Sequence, residues 1–202
     1  MSNFRISGSR ILLGVAVTAA ALFYFSSTSA IDSTTSANMA SRESPNPIAG
    51  LHVALAQTSP DPPTLRVTVT NKNDFPITFL TYGSPLDKLA LQLGLLSITP
   101  DGASAPLEMD TIQLRRVWPP TEEFLVTLGP GESESNEVVL KEPIISLDTV
   151  GSKATVAIKG KWEAVWSAAK DGVSKASLED PYASTDAVSG DFESKDIDIS
   201  IA

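Results

Sequence analysis

Of the side chains that most often do chemistry, this sequence holds one histidine, His52, and no cysteine. Thiol catalysis and cysteine-ligated zinc are excluded, and a His-Glu-x-x-His zinc site needs a second histidine. A Ser-His-Asp triad would have to be built on His52. That residue lies in "LHVALAQ", where Leu51, Val53 and Leu55 share one face, so it reads as a solvated side chain on the other. Asp196 and Asp198 could pair for acid–base work or hold a metal. They alternate with Ile197, Ile199 and Ile201 in "DIDISIA" and read as the wet face of a strand. No glycine-rich phosphate loop occurs. An enzyme is not expected, and neither is a cofactor or a bound metal.

Arg115-Arg116 in "IQLRRV" is the remaining pattern with chemical meaning. Adjacent arginines suit a dibasic-directed protease of the secretory pathway. The competing reading is a strand whose two arginines point to opposite faces, with at most one buried against a carboxylate. Cleavage within a strand would destroy the domain, so the strand reading is preferred. Trp162, Ala164 and Trp166 fall on one strand face, as core or sheet-edge packing in preference to an aromatic binding patch.

The elements that must position these residues are strands. "LRVTVTN" alternates Leu65, Val67 and Val69 with polar neighbours, and "ITFLTYG", "LALQLGLLSITP" and "IQLRRVW" follow. In "FLVTLGPGE", Phe124, Val126 and Leu128 share a face; "NEVVLKEP", "KATVAIKGKWEAVW" and "DIDISIA" complete the series. Period-two alternation means one buried and one wet face, as in antiparallel sheets. Asn-Lys-Asn-Asp, Asp-Gly and Gly-Pro-Gly punctuate the runs as turns. Thr58–Thr64, rich in proline, reads as a hairpin loop. The fold class expected is all-β, an immunoglobulin-like antiparallel β-sandwich of about eight or nine strands. It spans residues 48–202, with a mobile polar insertion at 167–190.

Ahead of the sandwich, Arg5 and Arg10 precede fifteen uncharged, mostly apolar residues, Ile11–Phe25, and then "SSTSA". This is the order of a secretory signal peptide, residues 1–30, cut near Ala30. An uncut anchor is the rival, although a bilayer-spanning helix needs ~20 apolar residues. Residues 31–47 read as a flexible Ser/Thr-rich linker. The chain carries 24 acidic and 15 basic side chains; without Arg5 and Arg10 there are 13 basic, a net charge of −11. Such a protein is repelled by nucleic acid and anionic membranes, so neither is an expected partner. With the leader cleaved, no stable membrane association is expected and the product is extracellular.

Taken in order, "LTYGSPLD" and "RRVWPPTEEFLVTLGPGES" resemble the propeptide of fungal deuterolysins, secreted zinc metalloproteases of the aspzincin group. The corresponding residues are Tyr82, Gly83, Leu86 and Asp87; then Arg115 and Arg116; then Glu123, Phe124, Leu128, Gly131 and Glu132. The resemblance implies a non-catalytic module that binds a secreted zinc metalloprotease as inhibitor or folding chaperone. Tyr82, Asp87, Arg115, Arg116 and Phe124 are the partner-binding candidates, while Gly83 is read as a backbone residue of a turn. A catalytic domain with its own His-Glu-x-x-His helix would follow such a propeptide, and this sequence ends without one. Two alternatives therefore stand beside the inhibitor or chaperone: an extracellular or cell-wall interaction module, and a truncated precursor of such a protease.

Overall fold

The computed structural model describes residues 46–202; the leader and nearly all of the linker lie outside the described residues. Pro47, assigned to the linker from sequence, already belongs to the domain: it is buried in a 3-10 turn, Pro47–Gly50, capped by the Asn46 side chain.

Nine strands follow among the described residues: β1 (Leu51–Pro60), β2 (Pro63–Asn71), β3 (Ile77–Leu80), β4 (Leu96–Pro100), β5 (Leu125–Leu128), β6 (Ser133–Val139), β7 (Lys153–Trp166), β8 (Ala187–Glu193) and β9 (Ile197–Ser200). One sheet has the order β1-β2-β6. The other has the order β4-β7-β3-β5, with β8 and β9 also on β7. Every pairing is antiparallel. The helices, α1 (Leu147–Val150) and α2 (Lys175–Glu179), are single turns. This is the all-β, immunoglobulin-like sandwich that the alternation predicts. Leu65, Val67 and Val69 of β2 meet Ile77, Phe79, Val156, Ile158 and Trp162 of the facing sheet in the main core. The Phe79 and Trp162 rings pack edge-on with centroids 4.9 Å apart.

Several expected strands differ from the sequence reading. The Thr58–Thr64 loop shrinks to a turn at Asp61 and Pro62. Pro60 and Pro63 are accommodated because β1 is an edge strand and Pro63 opens β2. "LALQLGLLSITP" is strand only from Leu96; before it the chain coils through turns, with Leu93 N–H donating to Leu89 C=O. "IQLRRVW" is not a strand at all. It belongs to a long exposed stretch between β4 and the 3-10 turn Glu122–Phe124. Phe124 sits in that turn and does not share the inner face with Val126 and Leu128.

The tryptophans also part company. A register shift between Trp162 and Val165 interrupts the β7–β8 ladder. One extra residue reverses every later side chain, so Trp162 enters the main core while Ala164 and Trp166 turn to the outer face. There they join Leu80, Tyr82 and Leu125 in a second cluster. The segment read from sequence as an insertion, 167–190, lies over this cluster and also supplies the start of β8. Trp166 Nε1 donates to the Oγ of buried Ser177 at 2.7 Å, and Ser177 Oγ lies 2.8 Å from Ser184 Oγ.

The feature that positions the site is an interruption in one strand. β3 and β4 lie end to end along the same side of β7, with β8 and β9 along the other. Between Phe79 opposite Val165 and Leu96 opposite Ile158, β7 changes by seven residues and its partner by seventeen. Ten residues are thus looped out of an otherwise continuous strand, in the stretch containing "TYGSPLD".

Candidate functional site

The loop-out is built around Asp87, which is buried. Its Oδ2 accepts from Gly83 N–H at 2.8 Å and its Oδ1 from Leu89 N–H at 3.0 Å, so one carboxylate closes the turn on both sides. The turn requires Gly83 at φ +65°, a left-handed conformation that glycine adopts without strain. The second ligand of Oδ2 is the Arg116 guanidinium, which forms an ion pair with it. Arg116 also lies over the Tyr82 ring, 4.8 Å from its centroid. Tyr82 packs on Phe124 with ring centroids 4.7 Å apart, and its hydroxyl donates to the Val117 carbonyl at 3.3 Å. Burial raises the Tyr82 pKa against the opposing influence of Arg116, with Glu123 and Asp87 adding to the rise.

Four of the five sequence candidates, Tyr82, Asp87, Arg116 and Phe124, therefore meet in one stack. The fifth does not. Arg115 is exposed and forms no ion pair among the described residues; it lines a separate depression with Tyr82, Arg116, Trp118, Glu163 and Tyr182. Leu128, Gly131 and Glu132 are elsewhere too, in a corner organised by fully buried Asn71. Asn71 Nδ2 donates to the carbonyls of Phe75, Leu128 and Gly129, and Gly131 N–H donates to the Asn71 carbonyl. They hold the sandwich corner.

The stack forms one wall of a cleft of about 560 Å³. Phe124 and Val126 come from the β5 side, Glu134, Ser135 and Asn136 from β6, and Lys88 and Leu89 from the loop-out. β5 and β6 are the edge strands of the two sheets, and among the described residues neither has a second partner. Asn136 Nδ2 donates to the Asp87 carbonyl at 3.3 Å and ties the loop-out to β6. Sequence reasoning missed Glu134, Ser135 and Asn136. The strand expected there, "NEVVLKEP", begins only at Asn136, and only the closeness of two sheet edges brings these residues to the site.

Chemically the cleft suits binding. Asp87 and Arg116 neutralise each other in the wall, leaving exposed Lys88, Glu123 and Glu134 around the mouth to meet a ligand. No group of three or more His, Cys, Asp or Glu side chains that could hold a metal occurs among the described residues. Beside the cleft, Trp118 and Tyr182 stack at 6.4 Å on the surface.

A secreted protein of Arthroderma benhamiae, itself described as uncharacterized, is 34% identical over 136 residues, 67% of this chain and 67% of its own length. The immunoglobulin-like domain matches residues 50–201, the extent of β1 to β9. With two antiparallel sheets over that same span, the chain belongs to the immunoglobulin-like domain family.

Proposed function

We propose that this protein is a secreted, non-catalytic binding module whose partner occupies the cleft between β5 and β6. One observation carries this reading: residues from three separate stretches converge on a cleft flanked by two strand edges that are unpaired among the described residues. Unpaired edge N–H and C=O groups can bind an extended segment by adding a strand, with neighbouring side chains selecting its sequence. Secretion is supported by the order of the leader and by the secreted relative.

The favoured partner is a secreted zinc metalloprotease, which the module inhibits or helps to fold. The support for this finer reading is that Tyr82, Asp87, Arg116 and Phe124, which carry the deuterolysin-propeptide resemblance, stand together in the wall. A second reading, a cell-wall or other extracellular interaction module, is supported by the surface pair Trp118 and Tyr182.

The protein immobilised on resin and exposed to culture medium should retain a chelator-sensitive protease. Glu134→Lys, which reverses a charge at the cleft mouth without touching the core, should weaken that capture. Retention of cell-wall fragments without protease activity would favour the second reading. Equal capture by wild type and Glu134→Lys would move the binding surface away from the cleft.

A further inference from the structure

We propose that the bond between Arg116 and Val117 is a cleavage site for a dibasic-directed endoprotease, and that Asp87 restrains the cut. The objection to cleavage was that a strand would have to be broken, and there is no strand. No backbone–backbone hydrogen bond involves Gln113 to Pro120 among the described residues. Side chains on both sides of the bond are open to solvent: Leu114 is 42% exposed, Val117 68% and Trp118 40%, and Arg115 is exposed as well. A protease must lay several residues around the bond into an extended groove, and this stretch gives up no sheet pairing to do so. Irregular loops of more than about 12–15 residues are uncommon in compact domains unless they serve a function.

Arg116 is the restraint. Its guanidinium is engaged by the Asp87 carboxylate and lies over Tyr82, so the residue that must enter the protease's acidic, arginine-binding pocket is held in the wall. Cleavage waits for its release. Water then adds across the bond, leaving a carboxylate on Arg116 and an ammonium group on Val117. The two pieces stay together, because β1 to β4 lie before the cut, β5 to β9 after it, and β2–β6, β3–β5, β3–β7 and β4–β7 pair across it. The product is a nicked sandwich with loose ends at the cleft, where Tyr82 had held the Val117 carbonyl.

The test incubates the folded protein with a subtilisin-type endoprotease selective for paired basic residues. The expected result is one cut giving a new N-terminus Val-Trp-Pro-Pro, with fragments that co-elute natively and separate in denaturant. Arg115→Ala, which alters no ion pair among the described residues, should resist cleavage. Asp87→Asn should be cut faster by on the order of ten-fold, the scale of losing one charge-assisted contact. If its melt shows Asp87→Asn unfolded, Tyr82→Leu loosens Arg116 by another route and should also be cut faster. An intact native chain under conditions that cut the denatured protein overturns the site, as does equal cleavage of Arg115→Ala. A folded Asp87→Asn or Tyr82→Leu protein cut no faster than wild type overturns the restraint.

Discussion

At Gly83 the backbone stands at φ +65° with open space around it; an added Cβ would come no closer than 3.9 Å to the Lys161 carbonyl. Substitution there is therefore penalised by backbone conformation and not by crowding. Gly83→Ala should cost ~1–2 kcal/mol, and Gly83→Asn, which tolerates the left-handed region, should cost less. Equal losses of melting stability for the two would assign the position to packing instead. Tyr182 offers a second measurement. Its hydroxyl donates to Glu163, and that bond, with burial and the Glu163 charge, raises its pKa from 10.0 to about 12. The protonated form is the one favoured by folding, so the contribution is complete below pH 10 and is lost as pH rises toward 12. The stability difference between wild type and Tyr182→Phe should thus be constant at lower pH and shrink across that window. A difference that stays constant through the window would mean that Glu163 does not hold the hydroxyl proton in the folded protein. Both residues show what sequence can carry at this scale. A glycine after Tyr82 and an aspartate four residues on mark a turn, whereas nothing near Tyr182 in sequence announces Glu163.

The strands with clean alternation, β2, the first half of β7 and β9, were legible because one buried face imposes a period of two. Interruptions were not legible. The extra residue between Trp162 and Val165 is invisible in "KWEAVW" and reassigns Ala164 and Trp166 to the outer cluster. Likewise "LALQLG" is apolar enough for a strand, and becomes turns because Asp87 holds Leu89 N–H and Leu86, Ala90 and Leu91 reach the core from a coiled path. "IQLRRVW" has strand composition but pairs with no strand among the described residues, a fact of tertiary pairing that no local window contains. The last strand makes the opposite case. β9 pairs with β7 from Lys153 to Val156 and buries Ile199, with Ile197 and Ile201 packed against the same core. Burying a side chain of this kind stabilises by ~1.5–3 kcal/mol, and a whole domain has only ~5–15 kcal/mol in hand. A chain ending at Lys195 should consequently be protease-sensitive or aggregate, with the β7 edge left open. A cooperative melt from that shortened chain, near the full-length midpoint, would show that β9 is dispensable.

Over the whole molecule the sandwich was read correctly, and the candidate residues converge only in part. Tyr82, Asp87, Arg116 and Phe124 could be listed from sequence, but their common wall depends on two sheet edges meeting, and Arg115 lines the neighbouring depression instead of the cleft. The looped-out strand has one more implication, for descent and not for mechanics. The same short stretch sends Ala90 and Leu91 into the core, Tyr82, Asp87, Lys88 and Leu89 to the cleft, and Leu86 to both. Inheritance cannot alter one set freely without disturbing the other. Lineages that change their ligand should do so at Lys88, Glu123 and Glu134, whose exposed side chains no core contact constrains. Tyr82, Gly83, Leu86 and Asp87 should drift slowly even where binding has been abandoned, leaving the outline of a binding site as a relic of how the strand is folded.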